Sequence, residues 1–377
     1  MPPAVIEGNW DPAFAPLAQR FADMVAQGGE RGAVAVVGPR GPLLDIRGGP
    51  VHPGTAGAWR PDTLACCFSV SKGVCSIAAH VLVERGLLDL DWPVARLWPE
   101  FAAGGKQAIT VLDLLTHRAG LPAVDRPVRR GDLYDWQRMT GLLAASAPVV
   151  PLRADPVYHN MTYGYLLGEV LRRASGLPSL RAVIDETLRR PLGADFRIGL
   201  DPREQARCAT IEQDDPQSLF TLLDSAPDTL FARSMAFFGK AEDFNTARWR
   251  TAEIGSGSGH ATALGLATIF GQLVFDNALI GRARQRALRR EQAASDGPDP
   301  VMEIAIRYGE GVELSTPPAL DFGPNPATAG HWGAGGATAF ADPDHDIAFG
   351  YVTGRMASGL GSSERARQLV AALYECL

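Results

Sequence analysis

The chain has 377 residues, enough for two ordinary domains or one large elaborated one. It carries 36 Lys+Arg against 42 Asp+Glu, a net charge of −6, with 46% apolar residues. That balance excludes a disordered chain and argues against a basic surface that tracks nucleic acid. Gly (41) and Pro (28) make about 18% of the chain, against an average near 12%, which implies many tight turns. The basic residues are almost all arginine, and only Lys72, Lys106 and Lys240 are lysines.

Asp11 and Pro12 open a predicted helix whose apolar stripe is Phe14, Leu17, Phe21 and Met24 or Val25. Residues 33–37 and 43–46 read as two strands around the turn Gly38-Pro39-Arg40-Gly41. The pattern turns helical from Val70 to Arg85, with Gly86 as the stop. Thr110 caps a short helix over 111–117 that closes near Gly120, and another helix covers 161–174 before Gly176. Between about 190 and 300 the signals are mixed, with helical stretches around 262–276 and 283–294. Strands return at 337–341 and 347–353 as a hairpin. A closing helix over 364–374 starts behind Ser362 or Ser363.

Strands therefore occupy both ends and helices the middle. The expected fold is α+β: an antiparallel sheet built from both chain ends with flanking helices, plus an inserted, mostly helical domain. Residues 1–66 and 296–377 are assigned to the sheet domain and 67–295 to the insertion, with the active site at their junction. The five cysteines, Cys66, Cys67, Cys75, Cys208 and Cys376, lack paired spacing and read as reduced thiols. The first seven residues have neither a basic nor an apolar leader region, and the uncharged run 254–275 carries five glycines. A cytoplasmic protein without a membrane span is the expectation.

Ser69-Val70-Ser71-Lys72 is the strongest local signal. Three residues apart on a helix, the lysine ammonium can reach the serine hydroxyl. A lysine desolvated at a domain junction can take the hydroxyl's proton and make it a nucleophile. With 16 serines and three lysines, chance supplies about 0.13 such pairs. The histidines His52, His80, His117, His260 and His345 show no zinc spacing, so neither a metal nor a cofactor is expected. No Walker A or GxGxxG register exists.

Phe68-Ser69-Val70-Ser71-Lys72-Gly73-Val74 leads into Glu84-Arg85-Gly86-Leu87-Leu88-Asp89 and then Thr110-Val111-Leu112-Asp113-Leu114-Leu115-Thr116-His117-Arg118-Ala119-Gly120-Leu121-Pro122. Together these segments resemble the serine β-lactamase-like superfamily, and within it class C β-lactamases and family VIII carboxylesterases. The resemblance runs from about residue 30 to the C-terminus. It implies a second motif at Tyr158-His159-Asn160, in which a phenol with a lysine-lowered pKa relays the proton. Asn160 would orient Lys72 and the substrate, and is also a natural helix cap. His159 is expected to be a spacer with a solvent- or pocket-facing ring. The loop Gly255 to Gly259 would border the site.

The resemblance implies a third motif at His331-Trp332-Gly333, followed by Ala334. There the N–H groups of Ser69 and Ala334 would stabilise an oxyanion. The sequence departs from β-lactamases at this point, because His331 replaces a fixed cation and Trp332 a small hydroxyl residue. The expected function is thus a serine carboxylesterase acting on short-chain, small-molecule esters. A β-lactamase, a D-amino-acid peptidase or amidase, and a catalytically silent ligand-binding relative are the alternatives. The oligomeric state is left open.

Overall fold

The protein, seen in a computed structural model, is described over residues 6–213, 229–235, 241–276 and 278–377. Lys240 and residues 1–5 lie outside the described residues. A nine-stranded antiparallel sheet takes three strands from the N-terminal end: β1 (Ile6–Trp10), β2 (Gly32–Gly38) and β3 (Gly41–Gly48). The other six are β4 (Ala293–Ala294), β5 (Arg307–Tyr308), β6 (Glu313–Leu314), β7 (Ala329–Trp332), β8 (Thr338–Asp342) and β9 (Ile347–Thr353). Their spatial order is β1-β3-β2-β9-β8-β7-β6-β5-β4. The chain ends meet where β2 pairs with β9, Val34 facing Tyr351 in register.

Strand alternation gives the sheet two unlike faces. Val34, Val36, Leu44, Ile46, Phe340 and Phe349 form one. They pack under α1 (Ala15–Ala26) and the C-terminal helix Glu364–Tyr374, both amphipathic as the sequence pattern indicates. Asp11 accepts from Ala13 N at 2.9 Å and Ser363 from Ala366 N at 3.2 Å, so polar side chains start both helical segments. Buried Glu30 pairs with Arg365 at 3.0 Å and accepts from Thr353 Oγ1 at 2.6 Å, tying the last helix to β9.

The opposite face is nearly bare of side chains: Ala33, Ala35, Ala339, Ala341, Ala348 and Gly350. Smallness here lets two helices lie close against the strands. One is α2 (Val70–Glu84), which contacts β7; another is the helix Ala263–Phe270, which contacts β2, β8 and β9. A Cβ on Gly350 would sit 2.2 Å from Ala263 O. The helix Thr162–Ser175 packs behind α2 and ends at Gly176, whose φ of +70° suits glycine. Among the described residues no helix is long and apolar enough to cross a membrane.

The insertion differs from the sequence reading in two ways. The segment 262–276 holds the helix Ala263–Phe270, which lies on the sheet although it falls inside the expected helical domain. The segment 283–294 splits into the helix Arg282–Arg289 and β4, so the sheet begins before residue 296. Strands β1, β5 and β6 also escaped the sequence pattern: β1 is an edge strand paired with β3 alone, and β5 and β6 are two residues long. Ala65–Cys66 pairs with His260–Ala261 rather than with the large sheet.

Close packing on the bare face makes a stability prediction. Gly350→Ala should destabilise the protein by about 1–3 kcal/mol, because the new methyl meets helix backbone that must move. Exposed Gly141, in the helix Trp136–Ala145 with nothing within 4 Å of its would-be Cβ, should tolerate alanine or gain up to about 1 kcal/mol. Thermal unfolding of the two variants checks this, and equal midpoints would show that the helix backs away freely.

Candidate active site

Ser69 stands at the N-terminus of α2, where a serine would ordinarily cap the helix with its side chain. Its hydroxyl makes no cap bond. Instead Ser69 Oγ accepts from Lys72 Nζ at 2.9 Å, as i,i+3 spacing on one helix face allows. Phe68, immediately before it, is held at φ +46°, a strained conformation for a bulky residue. This kink turns the chain from the strand Ala65–Cys66 into α2 and presents Ser69 at the helix end.

Lys72 is fully buried. Besides Ser69 it donates to Ser256 O at 3.1 Å, so the glycine-serine loop does border the site. That loop is itself fixed: Ser256 Oγ donates to Met161 O and accepts from Gly164 N, and a Cβ on Gly164 would lie 2.2 Å from Ser256 N. Burial drives the Lys72 pKa down to about 7, and the negative charge of Glu313 opposes that fall. Near neutral pH a large share of this lysine is thus an unprotonated amine.

Tyr158 is also buried, and Lys72 Nζ lies 4.7 Å from its ring centre. Asp299 fixes its backbone, accepting from Tyr158 N at 2.7 Å and from Val301 N and Met302 N at 2.8 Å each. The expected lowering of the phenol pKa is not what the site produces. Burial first, then the Glu313 carboxylate, push it well above 10, while proximity to Ser69 pulls only weakly the other way. The Tyr158 hydroxyl makes no direct hydrogen bond among the described residues and stays a protonated phenol at neutral pH.

Two further placements correct the sequence reading. Asn160 does not bond Lys72; its Nδ2 donates to Met235 Sδ. His159 faces neither solvent nor pocket: its ring is buried, with Nδ1 at 2.6 Å from Val157 O and Nε2 accepting from Leu121 N at 3.0 Å. It braces the turn 117–121 against the Tyr158 segment. His117 completes the brace, accepting from His159 N at 2.9 Å and lying 5.0 Å from the Tyr158 ring. Cys66, Cys67 and Cys75 are buried free thiols; burial raises all three pKa values, Cys66 and Cys75 to about 12.

β7 carries the third motif. A Cβ on Gly333 would lie 2.3 Å from Cys67 O and 3.4 Å from Ser69 N, so only glycine lets the two segments meet. Among the described residues neither Ser69 N nor Ala334 N donates to a backbone carbonyl outside regular elements. Both residues line a narrow cavity of about 30 Å³ with Tyr158, Asn160 and Trp332, room for a water or two. Met235, Met302, Met356 and Leu360 supply apolar wall, and no charged side chain lines it among the described residues. His331 points to the other side of β7 and is not part of the lining. Burial lowers its pKa to about 3, leaving a neutral imidazole. A larger hollow of about 320 Å³ near Trp136, Tyr165 and Glu253 contains no serine-lysine pair.

The sequence reading missed Asp299 and Glu313. Asp299 sits in Pro298-Asp299-Pro300, where nothing local marks an anchor. Glu313 is a lone acid between Val312 and Leu314, and that odd charge in a buried strand was its one visible signal.

A sequence profile described as Beta-lactamase matches residues 17–373. The chain belongs to this family. It is similar to an esterase/beta-lactamase, LipL, of Mycobacterium tuberculosis, at 31% identity over 95% of this chain and 85% of the relative. Among solved structures, a family VIII carboxylesterase superposes with a TM-score of 0.90 at 31% identity, covering 99% of this chain and all of the other. A penicillin-binding protein homologue from Caulobacter crescentus gives 0.87 at 33% identity, again over 99% and 100%. These family relations bear out the sequence resemblance and the α+β fold.

The depressed Lys72 pKa yields a measurable pH dependence. Only the neutral amine can accept the Ser69 proton, so labelling by a fluorophosphonate should rise with pH through about 7. Lys72→Ala and Lys72→Arg should each slow labelling at least about a hundredfold, since arginine keeps the charge but never becomes a base. An arginine variant within tenfold of wild type would reduce Lys72 to an electrostatic support.

Proposed function

We propose that this protein is a serine hydrolase that cleaves small, uncharged carboxylic esters through an acyl-enzyme. The observation that carries the reading is Ser69 Oγ held at 2.9 Å by a buried lysine whose pKa lies near 7, facing a narrow uncharged cavity. Neutral Lys72 takes the Ser69 proton as Oγ bonds to the ester carbonyl carbon. Negative charge develops on the carbonyl oxygen, where the Ser69 and Ala334 N–H groups can receive it. The tetrahedral centre then expels the alkoxide. Tyr158, a protonated phenol, passes a proton to that oxygen and is reprotonated from the Lys72 ammonium. Water repeats the sequence on the acyl carbon and frees the acid. Apart from the ester and that water, the groups named in these steps are side chains and backbone of this chain.

The uncharged wall supports esters over carboxylate-bearing β-lactams. His331, at the place of the fixed cation that the resemblance leads one to expect, is neutral and turned away. Trp332 fills space beside the oxyanion strand.

Ser69→Ala should abolish hydrolysis of p-nitrophenyl butyrate while leaving thermal unfolding nearly unchanged. Loss of a catalytic nucleophile costs about 10⁶ in rate, so residual activity above about one part in a thousand would move the nucleophile elsewhere. Losing a charge-assisted hydrogen bond to the β-lactam carboxylate costs about 1.5–3 kcal/mol, and the indole adds a steric penalty. Butyrate ester cleavage should therefore exceed nitrocefin opening at least about a hundredfold in kcat/KM. Comparable values for the two substrates would favour the β-lactamase alternative.

A further inference from the structure

Three of the chain's seven methionines, Met235, Met302 and Met356, meet in the wall of the cavity at Ser69. All three are buried, they come from distant stretches of the chain, and each is tied to a different element of the site. Met356 follows Arg355 in a two-residue strand that pairs with Glu212–Gln213. Its neighbour Ala357 donates from N to Gly335 O at 3.0 Å, and a Cβ on Gly335 would lie 2.6 Å from Met356 Cγ. Met356 is thus pressed against the turn that carries Ala334. Met302 N donates at 2.8 Å to the Asp299 carboxylate that also holds Tyr158 N. Met235 ends the helix Leu230–Met235, and its Sδ accepts from Asn160 Nδ2.

The catalytic side of the cavity is held stiffly. Buried carboxylates fix the backbone N–H groups of Tyr158 and Trp332, and Ser69 is rooted in α2. The methionine side is not, because an unbranched thioether has three rotatable bonds and no strong hydrogen bond to hold it. The empty cavity, about 30 Å³, has room for a water or two and none for a butyryl chain. Entry of an acyl chain therefore requires wall atoms to move, and the thioethers yield most readily. An ester oxygen arriving at Asn160 is a better acceptor than sulfur, so it displaces Met235 Sδ and frees that side chain to turn. Water must take the alcohol's place before the acid is released, so the alcohol has to leave toward solvent. The acyl chain stays through both steps. Buried methionines suit the part that stays, and Ser358 and Gly359, exposed in the same lining, suit the part that leaves. We propose that Met235, Met302 and Met356 form an adaptable acyl pocket and determine which carboxylic acid the ester can carry. The proposal rests on the serine-hydrolase reading for its catalytic consequence, though not for the pocket itself.

Esters of one alcohol read the acyl pocket directly. With p-nitrophenyl acetate, butyrate and octanoate, Met302→Ala and Met356→Ala should raise the octanoate-to-butyrate ratio of kcat/KM at least about tenfold, the worth of a methylene or more in an apolar pocket. Acetate, too short to reach the wall, should stay within about threefold of wild type. Met302→Leu and Met356→Leu keep the volume, so they fold even where alanine opens too large a hole. Their branched side chains are stiffer and should lower the same ratio at least about threefold while sparing acetate. Changing the alcohol at fixed butyrate, from methyl to benzyl, should give the wild-type ratio in every variant. An unchanged acyl profile, equal losses on all esters, or an effect that follows the alcohol instead would each overturn the proposal. A second readout needs no turnover. Enzyme labelled with [methyl-¹³C]methionine carries seven labelled methyl groups, whose signals Met→Leu variants assign. In Ser69→Ala, methyl hexanoate should shift the signals of Met235, Met302 and Met356 and leave that of Met139, in the helix Trp136–Ala145, in place. Unmoved signals from a protein whose wild type cleaves esters would overturn the acyl pocket and leave the hydrolase reading standing. The three shifts in a protein whose wild type cleaves no ester would overturn the functional reading and leave the pocket standing.

Discussion

Lys72 has no exposed surface, and two oxygen acceptors, one of them the Ser69 hydroxyl, replace its hydration shell. An ammonium in that position loses stability relative to the amine, which is the form the chemistry uses. The rest of the architecture serves to keep water from it. The bare alanine and glycine face of the sheet draws helices close on one side. The glycine-serine loop and the Thr162–Ser175 helix close another, with Gly164 removing the last obstacle. Lysine scarcity fits the same logic, because arginine cannot be made neutral by burial in this way.

The site lies on the seam between two hydrophobic cores. α2 and its nucleophile are rooted in the core shared with the helical insertion. Tyr158 and Trp332 belong to the core beneath α1 and the C-terminal helix. Neither half alone brings hydroxyl, amine, phenol and oxyanion donors together. The links that hold the site residues are short and directional, such as Asp299 to Tyr158 N and Glu313 to Trp332 N. In both, a buried carboxylate side chain accepts from a backbone N–H, which fixes the backbone of the site residue whatever that residue's own rotamer.

Legibility in the sequence followed the range of the interaction. Ser69 and Lys72 sit three residues apart on one helix, so periodicity alone paired them, and the caps Asp11 and Thr110 announced themselves locally. The strands around 33–37 and 347–353 were visible because both faces are apolar. What failed was long-range. The phenol pKa depends on burial and on Glu313, 155 positions away in the chain, and no spacing rule reports that sum. Asn160 was assigned to Lys72 by resemblance, but the two are not bonded here. β5 and β6 are two-residue strands that exist through pairing rather than propensity.

Replacement of a fixed cation by a neutral histidine changes more than one contact. A charged lysine on β7 would compete for the Glu313 carboxylate and hold its charge there. His331 is neutral here, with Nδ1 at 2.7 Å from Trp332 O. The same change leaves the cavity wall without a charge for a substrate carboxylate. An uncharged ester suits such a site twice over, since it neither requires a cation in the wall nor brings an anion that would raise the Lys72 pKa and protonate the base.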